Sequence, residues 1–78
     1  MPKGRTLWDL TRGESATVTA VTAKSAMRRR LQDIGLVPGT RVTSVNRGMM
    51  GGPTAYLVRG AVIALRRKDA ESVTVDGA

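Results

Sequence analysis

The sequence predicts a small, mainly β domain: a closed or nearly closed β-barrel that carries one α-helix. Three observations support this fold class. Short segments alternate apolar and polar residues, glycine-containing turns separate them at close spacing, and a single segment has helical periodicity. The chain has 78 residues, which is material for one hydrophobic core. We therefore expect a single domain over residues 1–78, with a core of about residues 7–75.

Five segments have the composition of β-strands: residues 15–22, 41–47, 54–58, 61–65 and 73–75. The third and fourth segments flank Arg59-Gly60, and a two-residue connection with glycine in second place is typical of a β-hairpin. Residues 7–10 are expected to form a short strand or a buried turn, and residues 68–71 a single helical turn. A closed sheet would protect strand edges that a short, β-rich chain otherwise exposes.

One helix is predicted over about residues 25–34. Its apolar residues recur at i, i+4 and i+7 and would face the core: Met27, Leu31 and Ile34. Ser25 is a suitable N-cap. Gly35 is placed to end the helix in a left-handed conformation, and Pro38-Gly39 prevents the helix from resuming.

Composition excludes several kinds of function. The chain has no His and no Cys, so it has no imidazole base, no thiolate nucleophile and no Cys-based metal site. No pair of carboxylates has the spacing of a general acid–base pair or a hard-metal site. We therefore expect no catalytic residues. Residues 1–10 lack the apolar run of a signal peptide, and no segment approaches 18 apolar residues, so we expect no membrane span.

The net charge of +7 is unevenly distributed. One cluster is Lys24 with Arg28–Arg30, a second is Arg66–Lys68, and a looser third contains Lys3, Arg5 and Arg12. The helix arginines oppose the macrodipole, which favours acidic residues near a helix N-terminus, so they do not serve helix stability. They form either a solvated basic face or a docking face for an acidic protein, a nucleic acid or anionic lipid.

The loop sequence GMMGGP, residues 48–53, places two methionines between strands. Met49 and Met50 could contact a partner, since thioether side chains are flexible and polarizable. They could instead fold back over the open end of the barrel. A soft Cu(I) site is a third alternative, with weaker support because no His or Cys accompanies the pair.

A run of motifs along the chain is more specific than any of these features. Residues 30–39, RLQDIGLVPG, resemble the pattern R-L-x-x-L/M-G-L/M-x-P-G of the FeoA family. The family pattern continues with a Gly-x-Pro loop, an Arg-Gly-like turn, a segment ending in Leu-Arg and a closing Ala-x-x-Ile/Val-x-Val. The corresponding residues here are Gly51–Pro53, Arg59-Gly60, Ile63–Arg66 and Ala70–Val75. The resemblance spans about residues 7–75 in the right order and spacing.

The resemblance implies a single FeoA-like domain, a small cytosolic SH3-like β-barrel with the inserted helix. Such proteins accompany FeoB, a membrane ferrous-iron transporter with a cytosolic GTPase domain, and the same module ends metal-dependent repressors of the DtxR type. It implies a non-catalytic accessory protein of ferrous iron uptake that binds the cytosolic region of a FeoB-type transporter and modulates transport or GTPase activity. The family is also labelled as binding transition metals. Without His or Cys, we predict no metal ligands and no cofactor for this chain.

The candidate partner-binding residues are Arg28, Arg29, Leu36, Val37, Met49 and Met50. The motif residues expected to be structural are Arg30, Leu31, Gly35, Pro38, Gly39, Pro53 and Gly60. We expect a cytoplasmic protein close to an anionic membrane surface, which a basic protein favours. The alternatives are a small basic nucleic-acid-binding barrel and a direct transition-metal-binding protein. The run of motifs makes the nucleic-acid hypothesis the weaker one compared with a transporter partner.

Overall fold

A computed structural model of the chain describes residues 5–46 and 52–76. These residues form an antiparallel sheet with one longer helix, so the predicted mainly β fold with a helix near residues 25–34 is confirmed. The elements in chain order are β1 (Arg5–Thr6), a 3-10 helix (Leu7–Asp9), β2 (Ser15–Val21), α1 (Ser25–Asp33), β3 (Arg41–Asn46), β4 (Thr54–Val58), β5 (Ala61–Leu65), α2 (Arg67–Ala70) and β6 (Val73–Val75).

The strands pair in the order β1-β6-β2-β3-β4-β5, and all neighbours are antiparallel. Irregular register between Val18 and Ala20 in β2, and between Ser44 and Asn46 in β3, marks β-bulges. Bulges bend a strand and increase its twist, which lets a short sheet curl around one core. Within residues 5–46 and 52–76, β1 and β5 end the order, so β5 keeps one edge that no described strand covers.

The core lies inside this curled sheet and is almost entirely aliphatic. Its buried members are Leu7, Leu10, Ala16, Val18, Val21, Leu31, Leu36, Val42, Tyr56, Val58, Leu65, Ala70, Val73 and Val75. The Tyr56 hydroxyl is buried and donates a hydrogen bond to the Leu7 carbonyl at 3.1 Å, which ties β4 to the 3-10 helix. Residues 7–10 are therefore the buried turn rather than a strand.

Each end of α1 differs from the prediction in one respect. Ser25 is the first helical residue rather than the N-cap, because Lys24 takes the extended cap conformation and its carbonyl accepts the Arg28 N–H at 2.7 Å. Ile34, expected in the core, is the C-cap and is 40% exposed. Of the predicted apolar stripe, Leu31 is buried and Met27 is half-buried against the core.

Gly35 ends α1 as predicted, with a φ of 102°. The Gly35 N–H donates to the Gln32 carbonyl, and the Leu36 N–H donates to the Leu31 carbonyl, both at 3.0 Å. This pair of bonds is the Schellman motif, and it is closed by the apolar contact expected between the residues at its two ends, here Leu31 and Leu36. Glycine is required because a left-handed conformation strains residues that carry a Cβ atom.

The chain then enters β3 through a tight turn. Thr40 N–H donates to the Val37 carbonyl at 3.0 Å, with Pro38 second and Gly39 third at a φ of 96°. These are the sequence preferences of a type II turn. Val18 binds both sides of this turn, because its carbonyl accepts the Gly39 N–H and its N–H donates to the Thr40 carbonyl, each at 2.8 Å. The turn therefore fixes β2 to the end of α1.

The predicted β4–β5 hairpin is also confirmed. Val58 pairs with Ala61 across Arg59-Gly60, whose φ angles of 50° and 84° are those of a type I′ turn. Arg59 is an uncommon residue for this conformation. Its side chain packs over the end of α1, where a Cβ atom added to Gly35 would lie 2.8 Å from Arg59 Cδ.

Candidate functional site

The structure separates the predicted partner-binding residues. Arg28 and Arg29 are exposed on α1, and Val37 is half-buried beside the type II turn. Leu36 is fully buried at 0% exposure, because it closes the Schellman motif and packs into the core. Its side chain is therefore unavailable to a partner, and we correct the expectation that it lies on a docking face. Met49 and Met50 lie outside the described residues.

The motif residues mostly occupy turns and the core. Leu31 and Gly35 are buried, and Pro38, Gly39 and Gly60 lie in exposed turns. Pro53 is exposed and directly precedes β4. Arg30 is different, because its side chain is exposed beside β5.

A continuous groove runs between α1 and the strand β5. Three adjoining recesses share Met27 and Asp69, and together they form what we call the α1–β5 groove. Its floor is apolar and is formed by Met27, Leu31, Ile34, Ile63, Ala64 and Leu65. At one end it continues past α2 toward Thr22, Ala23 and Ser72. The groove therefore combines an open sheet edge with an apolar helix face.

Basic side chains surround this apolar floor. Lys24, Arg30, Arg66 and Lys68 line the groove, and Asp69 is the one acidic residue among its lining residues. The ion pairs among the described residues join Arg5 to Glu14 at 2.7 Å and Arg67 to Glu71 at 3.1 Å. Neither pair involves the basic residues of the groove. The groove consequently favours an anionic ligand with apolar side chains.

Sequence reasoning missed this groove although it identified both charge clusters that border it. Arg30 belongs to the α1 cluster, and Arg66 and Lys68 belong to the cluster after β5. The weak alternation of β5 was the available signal, because it leaves apolar side chains without an inward position, whereas the exposure of Ile34 is seen only in the structure. Bringing β5 together with the two charge clusters required the tertiary placement of α1 beside it.

A second recess lies at the other end of α1. It is lined by Val37–Arg41 and by Arg59. Arg41 and Arg59 supply positive charge, and Val37 and Pro38 supply apolar surface. This recess is the part of the structure that places the predicted contact residue Val37 next to basic side chains.

The aromatic residues are not arranged as a platform for stacked bases. Tyr56 is 1% exposed and its hydroxyl binds the Leu7 carbonyl. Trp8 is half-buried, and the Arg67 guanidinium lies 5.2 Å from the centre of its ring, a cation–π contact. Single-stranded nucleic acids are bound by exposed aromatic faces together with positive charge. The fold uses both rings in internal contacts, so the two aromatic side chains do not form such a binding surface.

Metal-ligating residues do not cluster in the described part of the chain. Within residues 5–46 and 52–76, no three carboxylates come together as a metal site. Glu14 is engaged instead in a local network: its carboxylate accepts the Thr11 N–H at 2.9 Å and pairs with Arg5. The Thr11 backbone hydrogen bond, followed by the Arg5 interaction, lowers the pKa of Glu14 from its ordinary value. The donor set of the described residues does not fit a resident metal ion.

The sequence matches the FeoA domain family over residues 5–77. The chain belongs to the FeoA family. A curated relative is the fusion of Fe(2+) transport protein A with Fe(2+) transporter FeoB from Porphyromonas gingivalis, 29% identical over 70 residues. That alignment covers 90% of this chain and 8% of the fusion protein, so the chain spans a small part of the relative's length.

Solved FeoA structures share this fold. FeoA from Chlorobium tepidum superposes with a TM-score of 0.85 at 38% identity, covering 92% of this chain and 69% of that one. FeoA from Stenotrophomonas maltophilia, solved in complex with zinc and described as a prokaryotic SH3 domain protein, gives 0.83 at 37% identity, covering 92% and 89%. The expected SH3-like architecture is thereby confirmed. No helix within the described residues is long and apolar enough to span a membrane.

Proposed function

We propose that this FeoA-family protein is a non-catalytic accessory component of ferrous iron uptake. It binds the cytosolic region of a FeoB-type transporter and modulates transport or GTP turnover. The observation that carries the proposal is the Porphyromonas gingivalis fusion, in which a FeoA segment similar to this chain is joined to the FeoB transporter. The iron transport itself belongs to the remainder of that fusion.

Fusion is informative because of its effect on local concentration. A tether holds two modules at an effective concentration that reaches the millimolar range for short flexible linkers, so even weak contacts form. Where the two modules are not tethered, the affinity of their contact surfaces must supply the association. This chain offers two basic surfaces for that purpose: the exposed Arg28 and Arg29 on α1, and the recess containing Val37, Arg41 and Arg59.

The charge of the chain supports a location next to the membrane that holds the transporter. A protein of net charge +7 is attracted to the anionic cytoplasmic leaflet, at about 1 kcal/mol for each basic residue near the surface. A transporter's cytosolic region lies within reach of that leaflet. Attraction to the leaflet would concentrate the protein next to its partner, and we propose a cytoplasmic location on this basis.

The test is binding of this chain to the purified cytosolic region of a FeoB-type transporter, measured by calorimetry with and without guanine nucleotide. The double variant Arg28→Glu, Arg29→Glu should weaken binding by roughly tenfold or more if α1 faces the partner. Arg12→Glu, an exposed arginine away from α1, is the charge-matched control for Arg28→Glu and Arg29→Glu taken singly. Absence of binding at tens of micromolar in both nucleotide states contradicts the proposal.

A further inference from the structure

The outer edge of β5 has unused backbone hydrogen-bonding groups. In a two-residue hairpin the pair that flanks the turn, here Val58 and Ala61, is hydrogen-bonded, and pairs alternate from there. Ala61, Ile63 and Leu65 therefore direct their peptide groups toward β4. Val62 and Ala64 direct theirs outward, and no other strand among residues 5–46 and 52–76 pairs with that edge.

This edge also lacks the features by which proteins normally protect an exposed strand. Such edges carry charged residues or proline, or are covered by another element. The β5 sequence, AVIAL, contains neither charge nor proline, and Val62 is 62% exposed. An apolar edge of this kind is suited to accept an added strand.

The α1–β5 groove lies directly along this edge. Ala64, one of the two residues with outward peptide groups, lines the groove together with Met27 and Arg30 of α1. A strand added to β5 would place alternate side chains on the apolar floor formed by Met27, Leu31 and Ile63. Its remaining side chains would meet Arg30, Arg66 and Lys68.

We propose that the α1–β5 groove binds an extended segment of a partner protein, with alternating acidic and apolar residues, by strand addition to the free edge of β5. Main-chain hydrogen bonds to Val62 and Ala64 hold the segment, and the charges of Arg30, Arg66 and Lys68 select acidic side chains. A second copy of this chain is disfavoured as the occupant, because each copy carries a net charge of +7.

The inference rests on the proposed function only for the identity of the partner, where it implies an acidic segment in the transporter's cytosolic region. It can therefore be tested without the transporter. The probe is a synthetic peptide of about eight residues in which glutamate and valine alternate, long enough to span the strand. Lysine–valine and block glutamate–valine peptides of equal length are the controls.

Amide chemical shifts of the isotope-labelled protein report the binding site. We expect the glutamate–valine peptide to shift the amides of Val62 and Ala64 and to slow their hydrogen exchange, with affinity falling as salt rises. The two control peptides should bind at least tenfold more weakly, since one has the wrong charge and the other lacks alternation. Equal binding of all three peptides, or shifts confined to residues 37–41, overturns the proposal.

Two variants separate strand addition from simple apolar or charge contact. Ala64→Pro removes an outward N–H that β4 does not use, so the fold survives while strand addition is lost. Ala64→Ser keeps that N–H and is the matched control. We expect roughly tenfold or greater loss of peptide affinity for the proline variant and less than threefold for the serine variant. Retained affinity in a folded Ala64→Pro protein contradicts strand addition.

The single acidic residue of the groove provides a gain-of-affinity test. Asp69→Asn should strengthen binding of the glutamate–valine peptide by about threefold, and Arg66→Glu should weaken it by about tenfold. Sedimentation of the free protein tests whether a second copy of the chain occupies the edge. A stable dimer that Ala64→Pro dissociates would show that it does, and would overturn the proposal.

The same variants distinguish this inference from the proposed function. If the transporter's cytosolic region binds the wild type and Ala64→Pro equally, the groove is not the docking site while the accessory function stands. If the glutamate–valine peptide binds as expected but the transporter region does not, the groove is a segment-binding site and the proposed partner is wrong.

Discussion

At the scale of single residues, Gly35 and Gly39 separate two reasons for glycine. Both have a strongly positive φ, but a Cβ atom at Gly35 would meet Arg59 Cδ at 2.8 Å, whereas nothing lies within 4 Å of one at Gly39. Gly39→Ala should therefore cost about 1 kcal/mol of unfolding free energy from backbone strain alone. Gly35→Ala should cost at least as much, because an added Cβ must also displace the exposed Arg59 side chain and would lie 3.4 Å from Val58 Cγ1. Denaturant unfolding measures both, and a smaller cost for Gly35→Ala than for Gly39→Ala would contradict this order.

Two buried hydroxyl groups, unlike these glycines, are poorly suited to the positions that they occupy in the fold. Ser44 Oγ and Thr54 Oγ1 are buried without a described hydrogen-bond partner, and Thr54 is 1% exposed. Because an unsatisfied buried hydroxyl is destabilising, Thr54→Val should raise the unfolding free energy by about 1 kcal/mol. The matched control is Thr43→Val, which removes a hydroxyl bonded to Ser15 at 2.7 Å and should destabilise. A loss of stability in Thr54→Val would show that the hydroxyl has a partner such as bound water.

At the scale of elements, α1 begins without a side-chain cap. Lys24 occupies the N-cap position with φ −66° and ψ 162°, makes no capping hydrogen bond and places a positive charge at the positive end of the helix. Lys24→Asp would supply both a capping acceptor and a favourable charge, so we expect about 1 kcal/mol of added stability in a thermal or denaturant unfolding experiment. Lys24→Ala removes the charge without adding a cap and should give less. Equal gains for the two variants would assign the whole effect to removal of the lysine charge, with no contribution from the cap or from the added carboxylate.

The elements that could be predicted from the sequence are those specified by neighbouring residues. The hairpin follows from Arg59-Gly60 between two five-residue strands, and the end of α1 follows from Gly35. The first helical residue, Ser25, was predicted correctly, but the N-cap was assigned one residue too late, because Lys24 occupies the cap position without a side-chain capping bond. Local pattern therefore identifies the element, while the cap that precedes it was not specified by a typical capping side chain.

The candidate site was harder to predict because it depends on contacts between distant segments. Arg28 and Arg29 were identified as exposed basic residues from the pattern of α1 alone. Leu36 was misjudged, since its role in closing the Schellman motif is visible only once its N–H is seen bonded to the Leu31 carbonyl. The α1–β5 groove joins side chains more than 30 positions apart in the chain, so no local spacing could have indicated it.

At the scale of the whole molecule, an excess of positive charge is held in a small fold with few compensating pairs. The chain has 13 basic and 6 acidic residues, and the ion pairs among the described residues engage Glu14 and Glu71. A net charge of this size opposes compaction through self-repulsion while promoting association with anionic partners. Self-repulsion therefore lowers the stability of the free protein, and an acidic segment bound in the proposed α1–β5 site should stabilise the fold by neutralising Arg30, Arg66 and Lys68.

Acid should lower the stability of the fold in part by protonating Glu14. Its pKa is lowered in the folded protein from an ordinary value of 4.5, mainly by the Thr11 N–H and then by Arg5. The stabilisation is therefore fully present above pH 4.5 and is lost as the pH falls through the folded-state pKa, because the unfolded chain binds the proton first. Melting temperatures between about pH 7 and about pH 3 should fall along this limb, and Glu14→Gln should make the fall shallower. Asp33→Asn, an exposed carboxylate on α1, is the charge-matched control. If Glu14→Gln and Asp33→Asn have equal acid limbs, general charge repulsion rather than the Glu14 network governs acid unfolding.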